Sequence, residues 1–424
     1  MNKRQVTILW ILAVALTATL VILKLTRSGQ YEASTHRERG DTLLAGFLGE
    51  KVSEITIRKG EQSVMLTKSD GTWTIAERDD YPANVSRIHE LLRGIGEVEI
   101  TQGIGAEPSL APRFGMDPKA DPENLPVEAV FHNASGDQLA RITLGKNLEA
   151  QSDPTSPLGG GGVTGRYVRN HADDSGFYVV GEVFPTLQPD PKAWLKKDFL
   201  QLEKIQSIAV SEPGEPDKTA WKVTRPDEAA DFSLVGIAED EKLDAGAVNP
   251  LKNLFSYASF QDVIPAEEAE EAWDEAQRRT ATIATVEGFT YEITYGPQKS
   301  AAENGAASGS IDYLMTVSVD AEIPDQRKVE EGESEEEAKE KQQAFERRKK
   351  ELEEKLTAAK KLEGRTYQVS KFTVDALLKS RDELLESEDQ EAAANQPPAN
   401  APRDRIRATT PPISIPMPEP AADE

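Results

Sequence analysis

The 424-residue chain has no cysteine and only four histidines. Without cysteine it can form no structural disulfide, thiolate zinc site, iron–sulfur cluster or thiol nucleophile, and no lipid-modified cysteine anchor. His36, His89, His132 and His171 stand far apart in sequence, a poor donor supply for a histidine-rich metal centre. Positive charge is also short, with 49 Lys and Arg against 74 Asp and Glu, a formal net charge of -25. Phosphate recognition needs a clustered basic footprint, so nucleic acid is not expected as a partner.

The common catalytic signatures are missing too. There is no HExxH zinc motif and no GxSxG nucleophile elbow. The run Gly159-Gly160-Gly161-Gly162 lacks the Lys-Ser or Lys-Thr ending of a phosphate loop and lacks a dinucleotide fingerprint. The segment after it, VTGRYVRN, reads as a strand, so a flexible connection is the simpler reading. His171 lies in NHADDSG beside Asp173 and Asp174, where a polar turn explains the residues better than a metal shell does. The acidic run GESEEEAKE lacks the ligand spacing of a calcium loop. No catalytic, cofactor-binding or metal residue is assigned, no cofactor is expected, and the chain is read as a non-enzyme.

One long apolar run is present. Val6 to Leu23, VTILWILAVALTATLVIL, carries no charge, and as a helix it extends about 27 Å, close to the hydrocarbon thickness of a bilayer. Lys3 and Arg4 precede it, which favours a cytoplasmic amino terminus, although Lys24 and Arg27 place charge on the other flank as well. A cleaved signal would have a shorter core and small residues at its end, whereas this run ends in LVILKLTRSGQ. The expectation is an uncleaved, single-pass inner-membrane anchor within residues 1–27. A tether over 28–50 follows, and the bulk of the chain is extracytoplasmic or periplasmic.

Beyond the tether the pattern turns β-like. Ile55 and Ile57 alternate with polar neighbours, as do Val64 and Leu66, and Asp70-Gly71 gives a turn before Thr72-Trp73-Thr74-Ile75. Val85, Ile88, Leu91, Leu92 and Ile95 recur at helical spacing after the capping residue Asn84. The same order returns with Ile208 and Val210, with Trp221 and Val223, and with a helix-like NPLKNLFSY whose Pro250 suits a first turn. Later, Arg141-Ile142-Thr143-Leu144-Gly145 is matched by Glu292-Ile293-Thr294-Tyr295-Gly296, and FYVV by TYQV. An internal duplication over 51–200 and 204–386 is therefore expected. The fold class is α+β: an N-terminal transmembrane helix, two duplicated β-rich modules with short helices, and a disordered tail over 387–424.

Trp73 and Trp221 are expected to match and to pack in the core, while Trp273, in EEAEEAWDEAQRR, is expected at the surface. The charged insertion over 327–363 is rich in helix formers and in opposite charges at four-residue spacing. With Phe345, Leu352 and Leu356 as its sparse stripe, it reads as an exposed helix that docks weakly.

The anchor from Val6 to Leu23, together with GTWTI, RFGMD, ARITLG and AWKVTRP, resembles DUF4340, a bacterial membrane-associated domain family of unknown function. That resemblance implies an association with a gliding-motility-like ABC transporter permease and its extracytoplasmic auxiliary protein. The expected role is a membrane-anchored scaffold or accessory subunit of an envelope transport or gliding-like assembly, touching the bilayer through residues 6–23. A glycan- or peptide-binding module of the envelope is the alternative.

Overall fold

The computed structural model describes residues 37–149, 162–173, 176–299, 312–329 and 332–386. The expected anchor, the glycine run 159–161 and the tail over 387–424 lie outside the described residues. No helix among the described residues is long and apolar enough to cross a membrane.

Alternating apolar residues and tight turns give antiparallel hairpins throughout. In the first half the strands are β1 (Val52–Lys59), β2 (Gln62–Ser69), β3 (Thr72–Ile75), β4 (Tyr81–Pro82), β5 (Ile100–Ile104), β6 (Val127–Asn133), β7 (Gln138–Glu149), β8 (Val163–Asn170) and β9 (Phe177–Val180). Asp70 and Gly71, both left-handed, close the β2–β3 hairpin as the two-residue turn that the right-handed strand twist favours. Helix α1 (Val85–Glu97) begins where the Asn84 side chain accepts the Arg87 amide at 3.1 Å, and it buries Ile88, Leu91, Leu92 and Ile95.

The second half contains β10 (Ile205–Glu212), β11 (Glu215–Thr224), β12 (Ser233–Leu234), α2 (Ala245–Val248), β13 (Asp262–Ile264), α3 (Ala266–Ala272), β14 (Arg279–Thr285), β15 (Phe289–Pro297), β16 (Asp312–Ala321), α4 (Glu335–Lys360), β17 (Thr366–Ser370) and α5 (Lys371–Val374). The helix expected at NPLKNLFSY starts earlier and is shorter than its pattern. Asp244 caps α2, and the chain tightens into a 3-10 turn over Asn249–Asn253. Pro250 has no amide to donate, so the α-helical ladder cannot continue through it.

The fold is α+β, with two large antiparallel sheets. Among the described residues the first runs β4-β3-β2-β1-β6-β7-β8-β9-β5 and the second β12-β11-β10-β14-β15-β16-β17-β13. With β4 set aside, the two sheets share one order. The registers agree: Ile57 pairs with Val64 and Ala129, as Val210 pairs with Trp221 and Ala281. Ala129 pairs with Ile142, as Ala281 pairs with Ile293.

These registers correct the tryptophan correspondence. Trp221 stands on β11 where β2 has Val64, while Trp73 stands on β3, whose counterpart β12 follows the buried Phe232. The local chemistry is shared as well, with Lys68 over the Trp73 ring and Arg225 over the Phe232 ring. Trp73 and Trp221 are both buried.

Trp273 is a second correction, since it is 4% exposed. Its backbone bridges to Gln298, and Arg278 lies over its ring at 4.8 Å. The charged neighbours face solvent while the ring turns inward, which the one-dimensional charge pattern conceals. Here the chain crosses tightly over β15, where a Cβ on Gly296 would lie 3.2 Å from the Arg278 Cα. In the first sheet the RFGMD turn crosses β7 in the same way. A Cβ on Gly145 would sit 2.1 Å from the Phe114 carbonyl oxygen, so only glycine fits there. Phe114 and Met116 then pack beside Phe177.

Candidate functional site at the junction of the two sheets

One apolar core runs through both sheets. Where the edge strands β4 and β13 approach, a polar cluster fixes them together. The chain after β3 makes a 3-10 turn over Ala76–Arg78 and then passes through Asp79 and Asp80, both left-handed. Two consecutive left-handed non-glycine residues are costly and persist only where the surroundings hold them. The Asp79 carboxylate accepts the Ala266 amide at 2.7 Å, and its carbonyl accepts from Arg365 at 3.4 Å. This turn aims Arg78 across the junction. Its Nε and Nη2 donate to the two oxygens of Asp262 at 2.7 and 3.0 Å, in a two-point pairing that a lysine could not reproduce. The Asp262 side chain is only 4% exposed; Lys192 approaches it at 3.4 Å, and it also accepts the Val263 amide at 2.8 Å.

The connection between the halves lies along the same seam. Asn84 donates its amide to the Trp194 carbonyl at 2.7 Å, and Ala83 bridges to Leu195, so the linker pairs beside β4. Lys197 then donates to the carbonyls of Phe260 and Gln261 at 3.3 and 2.7 Å. Burial pulls Lys197 below the usual lysine range, against the opposing field of Asp262. Beneath these groups, Tyr81, Phe199, Phe260 and Tyr367 form a connected ring cluster with centroids 4.9–6.3 Å apart. Arg365 lies over Tyr81 at 4.8 Å, and burial raises the Tyr81 phenol to about 12 although Arg365 pulls the other way.

Beside this seam is a cleft of about 440 Å³. One wall is Tyr81, Pro82 and the linker from Lys196 to Glu203; the other is Tyr291 and the C-terminal half of α4. The expected exposed helix is observed over Glu335–Lys360, with Leu352 its one buried side chain. Leu356 is partly buried against the core.

The histidines are scattered. His171 Nε2 lies 2.8 Å from the Thr143 hydroxyl, and burial, with Arg169 and Arg141 nearby, lowers its pKa to about 4. Asp173 points elsewhere, taking two bonds from Arg37 at 2.8 and 3.1 Å and one from the Tyr178 hydroxyl at 2.7 Å. His132 faces Glu54 on the first sheet, and His89 is exposed on α1. His36 and Asp174 lie outside the described residues. No group of three metal-capable side chains forms among the described residues. Sequence patterns did not single out Arg78, Lys192, Lys197, Phe199 or Asp262. The one available signal was the Asp79-Asp80 pair after a strand, which marks a constrained turn.

A two-sheet α+β body joined through a polar seam is the class that this geometry defines. Residues 73–275 match the family model described as "Domain of unknown function (DUF4340)", and over that span the chain resembles this family. The match takes in RFGMD, ARITLG and AWKVTRP, and both Arg78 and Asp262. No curated protein and no solved structure matches the chain.

Proposed function

We propose that the protein is a membrane-anchored, extracytoplasmic scaffold or accessory subunit of an ABC-type envelope transport or gliding-like assembly. In this reading residues 6–23 hold it in the inner membrane with the amino terminus cytoplasmic. The two sheets are duplicated modules facing the other side. The permease of the transporter and its extracytoplasmic auxiliary protein are the partners, and the protein performs no chemistry itself.

The observation that carries the reading is the Arg78–Asp262 seam. It joins two sheets of one strand order into a single body, with the charges of the junction paired to one another. Tethering such a body at a membrane raises its local concentration near membrane partners and restricts the faces they meet. The tryptophans that a glycan platform would present, Trp73, Trp194, Trp221 and Trp273, are all buried.

In-cell crosslinking followed by purification from gently solubilised membranes tests the proposal. Reproducible enrichment of integral transporter components supports it. Recovery of the isolated protein alone under several mild conditions overturns it, as does protease protection placing residues 37–386 in the cytoplasm.

A further inference from the structure

We infer that α4 is a hinged strap: it lifts from the second sheet while both sheets stay folded, and in doing so uncovers Phe289, Tyr291 and one wall of the junction cleft. The inference concerns motion within the chain and stands independently of any membrane assembly.

The first argument is topological. Strands β16 and β17 are hydrogen-bonded neighbours, yet residues 322–365 intervene between them. In the first sheet the corresponding strands β8 and β9 are joined through residues 171–176 alone. The sheet therefore closes without α4. Gly332 and Gly364 flank the helix with φ of +92° and +71°, and a Cβ on either would meet nothing within 4 Å. These are the two positions where the backbone can turn without a steric clash.

The second argument weighs what holds the helix. The thirteen residues of α1 bury four side chains, while the twenty-six of α4 bury one. Segments with few buried apolar contacts open at lower free energy than the core. Once lifted, α4 need not unravel. Ser334 and Glu337 form a capping box, and Lys349–Glu353 and Lys350–Glu354 are opposite-charge pairs at four-residue spacing.

The third argument is the fastening. Glu287, in the β14–β15 turn, has a side chain 7% exposed, and its carboxylate pairs with Lys204 at 3.0 Å, Lys355 at 2.8 Å and Arg348. Two of these three cations come from α4. The sheet beneath is adapted to the cover. By register, Tyr291 occupies the place that Ala140 holds in the first sheet. The two rings are nearly parallel at 6.1 Å, and Lys355 lies over Phe289 at 5.5 Å.

Because the chain lacks cysteine, single thiols report opening without background. In the full-length protein, L352C on the buried face of α4 and I293C in the sheet core are exposed to a thiol reagent. The expected result is reaction at Leu352→Cys about a hundredfold faster than at Ile293→Cys. Adding E287Q should accelerate the first by about tenfold and leave the second unchanged. Hydrogen exchange on the unaltered chain provides a measurement free of substitutions, in which the amides of α4 should exchange well before those of β15 and β16. Equal labelling at the two thiols, or exchange of α4 and β15 in one step, overturns the inference.

Discussion

Replacing Arg78 with alanine removes two charge-assisted bonds, at 2.7 and 3.0 Å, from a carboxylate that is 4% exposed. Breaking a buried pair from one side costs about 3–5 kcal/mol, mostly through the stranded charge. Asp262 would keep Lys192 at 3.4 Å and the Val263 amide at 2.8 Å, which places the loss near the lower end, about 3 kcal/mol. Asp262→Asn strands less. Arg78 retains its bond to the Glu77 carbonyl at 2.8 Å and has some access to solvent, so about 1–2 kcal/mol is expected. In the double variant the amide no longer needs a cation, and its cost should fall below the sum of the singles by more than about 1 kcal/mol. Equilibrium urea unfolding followed by tryptophan fluorescence measures this, since Trp73 and Trp194 report the first sheet and Trp221 and Trp273 the second. Arg78→Ala should also separate one transition into two. A single variant within about 0.5 kcal/mol of wild type, with additive energies in the cycle, would refute the idea that this pair fixes the sheets.

Three further outcomes follow from the geometry. Gly145→Ala drives a Cβ to 2.1 Å from the Phe114 carbonyl and should cost more than about 3 kcal/mol, whereas Gly296→Ala, with 3.2 Å to the Arg278 Cα, should cost about 1 kcal/mol; thermal unfolding ranks the two. His171 has its folded-state pKa lowered to about 4, so its neutral form is the one the fold favours. Its contribution is complete above the unfolded value near 6.5 and is lost as pH falls toward 4, with a slope of at most about 1.4 kcal/mol per pH unit that His171→Gln should flatten. At Glu287, burial raises the pKa, yet hydrogen bonds from Lys355 and Lys204 outweigh it and lower the folded value to about 2. The fastening of α4 should hold at neutral pH and loosen only as pH falls below about 4.5 toward 2, seen as faster exchange in α4 before the sheets unfold.

Local patterns in the sequence were legible because they depend on nearest neighbours. The Asp70-Gly71 turn, the apolar face of α1 with its Asn84 cap, and the pairing of Ile142 with Ile293 as equivalents are all observed. The tryptophan correspondence failed for a physical reason. A strand presents a buried site every second residue, and any large apolar side chain fills it, so Val64 and Trp221 serve one position and Trp73 and Phe232 another. Identical residue types were a poorer guide than hydrogen-bond register. Trp273 failed differently: its neighbours set the charge of the segment, but the crossing over Gly296 sets the direction of the ring.

The junction was the least legible part, since its partners are far apart in the chain: Arg78 with Asp262, Asp79 with Ala266, Tyr81 with Tyr367. No periodicity encodes such pairs. The span of the family match bears on how the molecule divides. The matched residues start within β3 and end before β14. Both members of the Arg78–Asp262 pair fall inside that span, while α4 falls outside it. β1, β2 and β14 to β17 fall outside it as well, so what sets α4 apart is its topology alone. If the seam is the organising element, destabilising it should loosen both sheets, whereas removing the Glu287 fastening should free α4 alone. That contrast distinguishes a body with an appended strap from one in which every segment contributes equally to holding the sheets together.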